Sequence, residues 1–282
     1  MRFHNPSSEI YVPDDVAIEK ALSRTTHMGI GAHQDDIEIM AYHGILECFG
    51  KTDRHFTSVS VTNGAGRPRD DLYKDYTDEA MQRVRRQEQK KAAFVGEYSA
   101  HIFLDYPSAV TKDKNNRRVT EDLKQIINLA RPEVIYTHNP ADKHDTHVAT
   151  VLRVIEAIRS LPPEGRPRHL YGCEVWRALD WLGDKDKVVF DVEGHENLAL
   201  ALLGVFDSQI CGGKRYDLAT MGRRRANATY FASHGVDTSS SVTFGIDLTP
   251  LVRDEKMEIS RYIHELIDRF DAEVASRIAK LG

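Results

Sequence analysis

Cysteine is scarce in this chain: Cys48, Cys173 and Cys211 are the three among 282 residues, far apart and with no C-x-x-C pair. An odd and dispersed set argues against a disulfide framework or a thiolate zinc knuckle, and makes a reducing compartment the expectation. Basic excess is missing too. With 38 basic and 43 acidic residues the net charge is -5, so no cationic field is available for a nucleic-acid backbone, and small neutral or mildly charged ligands fit better. No apolar run approaches the roughly 18 residues a membrane span needs. Met1 to Pro6 show no charged region leading into an apolar core, so the expectation is a cytoplasmic protein without a membrane span. Repeats and low-complexity tracts are absent, and Asn227-Ala228-Thr229 is read as a chance match to a glycosylation sequon.

What is present is a 41% hydrophobic chain, able to bury the core of one large domain. Residues 1–25 read as an N-terminal arm with a short helix near Val16 to Leu22. From Thr26 the pattern alternates. Strands are expected at 26–32, 55–62, 101–106 and 133–137, with helices at 37–49 (stopped by Gly50), from Thr77 to about Val95, from a Thr120 cap, and at 146–160. Residues 63–68 form a loop. This alternation predicts an α/β fold, a mostly parallel sheet flanked by helices, over residues 26–160. The break Leu161-Pro162-Pro163 opens an α+β C-terminal portion, residues 161–282, expected to complete the domain and the substrate pocket. Its strands are expected at 170–177, 187–192 and 241–247, with an apolar helix at 198–206, a basic segment with Arg223-Arg224-Arg225, and a final amphipathic helix. That helix packs on its own domain or on a second copy in a homo-oligomer.

Two polar clusters each follow an apolar run. The first is Gly31-Ala32-His33-Gln34-Asp35-Asp36-Ile37-Glu38, and the second runs from Thr137 through His144 to His147. Ligands in open α/β sheets bind beyond the carboxyl ends of the strands, so motifs at two strand ends can meet. His33, Asp36 and His147 offer two imidazole nitrogens and a carboxylate, a donor set suited to a catalytic Zn2+ or another divalent ion that lowers the pKa of water from roughly 9 for the aqueous ion toward about 7. Asp35 is placed to act as general base, and His144 to bond an oxyanion or give a proton to a leaving amine. Metal-assisted hydrolysis of an amide or ester is the chemistry implied. Glu38 and Asp145 are assigned to local support and helix capping, Arg85 and Arg86 to a solvated helix face, and Trp176 and Trp181 to packing, with stacking on a sugar ring as the alternative.

The first cluster resembles the Ala-His-Pro-Asp-Asp-Ile-Glu motif of the LmbE-like, PIG-L-type zinc-dependent N-deacetylases, standing here as Ala32 to Glu38. His138-Asn139-Pro140-Ala141-Asp142-Lys143-His144-Asp145-Thr146-His147 resembles the family's second motif. Val61 to Gly64, Arg85 to Glu88, Leu104 to Pro107 and Asp207 to Gln209 are smaller echoes. The resemblance implies a Rossmann-like core, zinc on His33, Asp36 and His147, Asp35 as base, His144 facing the oxyanion, and an N-acetylglucosamine-type amino sugar as substrate. Gln34 stands where the family has proline, and Thr146 where it has aspartate, so Asp142 or Asp145 is left to support the histidines. Hydrolysis of another small conjugate, or a sugar-binding scaffold without turnover, are the competing expectations.

Overall fold

Strand and helix alternate along the chain in the computed structural model, which describes residues 1–66 and 69–282. In order the elements are β1 (Glu9–Tyr11), α1 (Ile18–Ser23), β2 (His27–Gly31), α2 (Asp36–Met40), α3 (Tyr42–Cys48), β3 (Phe56–Thr62), α4 (Asp78–Val95), β4 (Ala100–Tyr106), α5 (Ser108–Lys112), α6 (Arg118–Ala130), β5 (Val134–His138) and α7 (Asp145–Arg159). There follow β6 (His169–Cys173), β7 (Lys187–Asp191), α8 (Glu196–Gly204), α9 (Asp207–Ile210), α10 (Tyr216–Tyr230), β8 (Val242–Asp247), α11 (Thr249–Arg253) and α12 (Ile259–Leu281). Of the loop expected over 63–68, Arg67 and Pro68 lie outside the described residues.

The strands form one sheet in the order β1-β4-β3-β2-β5-β6-β8-β7. Strands β2 to β6 pair in parallel, while β1, on β4, and β8, on β6, run antiparallel. The chain leaves β2 toward β3 on one side and later returns to β5 on the other. The strand order therefore reverses between β2 and β5, the kind of crevice in which open α/β sheets bind their ligands. Both polar clusters start there, one after each strand.

Sequence explains how the two strands are held level. Thr137 donates its hydroxyl to the Ile30 carbonyl at 2.9 Å, and the register sets Ile30 opposite Thr137. Met28 and Ile30 enter one apolar layer, with Val151, Val154, Ile155 and Ile158 of α7, each such side chain contributing about 1.5–3 kcal/mol on burial. The opposite face of β2 carries Gly29 and Gly31. A Cβ at Gly31 would stand 3.0 Å from the Asp36 Cβ, so glycine lets the first turn of α2, with its carboxylate, lie directly on the strand.

Several expectations are corrected. The helix expected over 37–49 is two helices broken at Ala41. The cause lies far away in sequence: the buried Arg224 guanidinium donates to the carbonyls of Glu38 and Ile39 at 3.0 and 3.2 Å, taking acceptors that a continuing helix would use. Thr120 does not cap α6, which starts at Arg118; its hydroxyl donates instead to Glu156 Oε2. The strand expected over 170–177 ends at Cys173, because Glu174 turns inward to accept from the Phe244 and Leu179 amides and from Asn227. The basic segment is the helix α10. In α12 only Ile263 and Leu266 are buried, and Ile267, Phe270, Val274, Ile278 and Leu281 stay exposed. No described helix is long and apolar enough to cross a membrane.

Candidate metal centre and active site

His33, Asp36, His144 and His147 meet at the β2/β5 reversal. His33 follows β2 directly. Its backbone N–H donates to Asp36 Oδ2 at 2.6 Å, a short turn that brings the Asp36 carboxylate back onto the imidazole. His33 Nδ1 lies 3.2 Å from Asp36 Oδ2 and 3.2 Å from His147 Nε2, and His147 Nε2 is 3.4 Å from Asp36 Oδ1. Two trios of donor atoms fall within 4.8 Å of one another: His33, His144 and His147, and Asp36, His138 and His147. His144 is the N-cap residue of α7 and is half-buried, its ring centroid 5.1 Å from that of His33 and 4.6 Å from that of His147. His33, Asp36 and His147 are buried.

Asp35 is 2% exposed and has φ 91 and ψ -28, the left-handed region, just before α2. Aspartate tolerates that region better than most residues but still at a cost of order 1 kcal/mol. Around it, Gln34 donates to the Thr62 carbonyl and accepts from Gln209 through its own backbone carbonyl. Gly64 at φ +72 packs under the Gln34 amide, where a Cβ would come within 2.4 Å of Oε1. The side chain that replaces the family's proline thus ties the loop to β3 and α9.

Two buried residues outside the expected set complete the centre. His138 stacks on His147 with ring centroids 3.8 Å apart, and its Nε2 accepts the Ala32 N–H at 2.9 Å. That bond uses the lone pair a metal would need. Burial, reinforced by His147, pushes His138 down to about 4, so it stands neutral. Asp142 accepts from the backbone N–H groups of His144 and Trp176 at 3.1 and 3.2 Å, and lies 3.5 Å from His147 Nδ1. This carboxylate, rather than Asp145, touches the histidine. Burial alone would raise Asp36, yet His147, His138 and His33 outweigh it and hold Asp36 well below its ordinary range. Burial likewise opposes a charge on His147, but Asp36 and Asp142 override it and raise His147 to about 9. The pocket is built for positive charge between two carboxylates.

Glu38, expected as local support, is a fully buried hub. Its Oε1 accepts from Gln89 and from the Tyr98 hydroxyl, both at 2.8 Å. Burial lifts it to about 7. A folded-state pKa above the ordinary carboxyl value of 4.5 gives a contribution to stability that is fully present below about pH 4.5 and lost as pH rises through about 7. Replacing Glu38 with Gln is therefore expected to remove a loss of about 2–3 kcal/mol between pH 5 and pH 8, checked by urea unfolding at both pH values; equal pH slopes in wild type and variant would contradict it.

The expected solvated face of α4 is also corrected: Arg85 is 1% exposed, and Arg86 pairs with Glu9 and Asp105. Glu88 accepts from Ser208 through both its amide and hydroxyl at 2.7 Å, so two of the smaller sequence echoes meet in space. Trp181 lines an open cleft of about 550 Å³ between α10 and α12 that includes none of the clustered histidines.

A His/Asp metal-site candidate thus lies at the switch point of a mostly parallel sheet. Residues 28–158 match the family described as PIG-L: GlcNAc-PI de-N-acetylase. This part of the chain, 28–158, is thus similar to the PIG-L (LmbE-like) N-deacetylases. No curated protein matches the sequence. Among solved structures, N,N'-diacetylchitobiose deacetylase from Pyrococcus horikoshii is 18% identical, with 78% of this chain and 83% of that chain covered and a TM-score of 0.58. Teicoplanin deacetylase Orf2, in its zinc-inhibited form, is 15% identical, with 79% and 97% covered and a TM-score of 0.58. GalB from Pseudomonas putida KT2440, a 4-carboxy-2-hydroxymuconate hydratase, is 14% identical, with 79% and 96% covered and a TM-score of 0.57. These likenesses are of fold alone, and the hydratase shares it.

Proposed function

We propose that the protein is a zinc-dependent hydrolase that removes an acetyl group from the nitrogen of an amino-sugar-like substrate, with His33, Asp36 and His147 as metal ligands, Asp35 as general base and His144 at the carbonyl oxygen. One observation carries the ligand assignment. Tetrahedral coordination with bonds of 2.0–2.1 Å separates neighbouring donor atoms by about 3.3–3.4 Å; His33 Nδ1 and His147 Nε2 are 3.2 Å apart, and the Asp36 carboxylate spans them, with Oδ2 3.2 Å from the first and Oδ1 3.4 Å from the second. His138 is left out because its near nitrogen already accepts the Ala32 N–H. His144, with part of its surface open, is assigned to substrate. When bound, the ion supplies Lewis-acid character and lowers the pKa of water beside it.

The chain's own groups do the rest. Asp142 orients His147 through Nδ1 and fixes the backbone of His144. Asp35, held by its strained backbone, takes the proton of the attacking water. His144 donates to the carbonyl oxygen as charge develops there, and the proton held by Asp35 passes to the leaving amine, giving amine and acetate. The test is acetate release from a panel of N-acetylated amino sugars and conjugates, with metal content measured in parallel. Turnover that disappears with chelator and returns with Zn2+ is expected; a chain with about one bound metal that releases no acetate from any member would sink the reading.

A further inference from the structure

An open cleft of about 250 Å³ adjoins the metal centre and is lined by Ile39, Val175, Trp176, Lys214, Tyr216 and Arg223, among others. Both halves of the site reach it. Ile39 lies on α2, three residues after Asp36, and the Trp176 N–H donates to Asp142, the carboxylate beside His147. The Trp176 ring lies nearly parallel to that of His144, with an interplanar angle of 18° and centroids 6.4 Å apart. Tyr216 meets Trp176 edge-on at 6.0 Å. A ligand that places its amide carbonyl at His144 therefore extends past an aromatic wall.

The charge of that wall has one sign. Lys214 Nζ lies 5.3 Å above the Trp176 ring, and Arg223 donates to the Val175 carbonyl. Among the described residues no carboxylate pairs with either cation; Arg215, which also lines the cleft, is paired with Asp217. Among the described residues, no acidic one lines the cleft. Trp176, Lys214 and Arg223 all lie outside residues 28–158, the family-matched region, so the feature belongs to the C-terminal portion of this chain.

We propose that this cleft is a subsite for an anionic substituent, a phosphate or a carboxylate borne by the amino-sugar-like substrate, with Trp176 as platform and Lys214 as the charge that selects it. The proposal rests on the deacetylase reading for the position of the sugar. An ammonium held at an aromatic face and lacking an acid partner is a point charge ready for a ligand oxyanion.

Calorimetric titration with product amines tests it independently of turnover. Glucosamine, glucosamine 6-phosphate and 2-amino-2-deoxyglucuronic acid are compared on the metal-loaded wild type and on Lys214→Met and Lys214→Arg, with circular dichroism confirming the fold. At least one anionic amine is expected to bind the wild type about tenfold or more tightly than glucosamine, the two arms separating phosphate from carboxylate. Lys214→Met is expected to collapse that ratio toward one, and Lys214→Arg to restore most of it. Equal affinity for all three amines, or a ratio unchanged in Lys214→Met, overturns the proposal. Selective binding without acetate release from any panel member would instead sink the deacetylase reading and leave the subsite standing.

Discussion

Asparagine at position 35 is expected to lower kcat by about a hundredfold to ten-thousandfold, the usual contribution of a positioned general base, while bound metal stays at the wild-type level. The choice of asparagine matters. It keeps the shape and tolerates the left-handed backbone that position 35 adopts, so folding and ligand geometry are preserved and the proton acceptor alone is lost. Glycine at the same position is the informative companion. It relieves the strain of φ 91 and is expected to be as inactive as asparagine but about 1 kcal/mol more stable to denaturant. A variant Asp35→Asn that hydrolyses N-acetyl substrate at the wild-type rate would remove Asp35 from the base role.

His147→Ala is expected to bring metal content from about one ion per chain to near none and activity to background, because a catalytic ion needs three protein ligands. Asp142→Asn supplies the graded comparison. It leaves the three donors in place and weakens only the bond to His147 Nδ1, so a 10- to 100-fold loss in metal affinity is expected. Mass spectrometry of metal content and a competition titration with a chelator measure both. Retention of stoichiometric metal by His147→Ala would shift the ligand assignment toward His33 and His144, the other histidines of that group.

Much of this was readable from residue order, for physical reasons that differ by residue. The strands around His33 and His147 announced themselves through apolar runs ending in polar clusters, and parallel sheets permit few topologies in which such ends meet. The expected donors His33, Asp36 and His147 do come together at β2 and β5. Four features escaped. His138 sits in the second cluster, but its part was set by an N–H of Ala32, over a hundred residues away. Arg224 is one of three consecutive arginines in the basic segment, and what distinguishes it is the pair of bonds to the carbonyls of Glu38 and Ile39, some 185 residues earlier. Glu38 and Asp35 share one acidic run, yet one is lifted to about 7 by burial and the other is singled out by backbone strain. The cleft joins Trp176 to Lys214 across the chain's second half. Each depends on long-range packing, which periodicity and spacing do not encode.

The pairing of β2 with β5 has one further consequence. His33 and His147 lie 114 residues apart in sequence and come within reach only when these two central strands align. An ion held by both therefore binds a single registration of the sheet and has no comparable affinity for an unfolded chain. By mass action its stabilisation grows with concentration, about 4 kcal/mol at a thousandfold excess over Kd. An ion held at this centre would act as a clasp on the middle of the sheet, so its availability would set the stability of the fold as well as its chemistry.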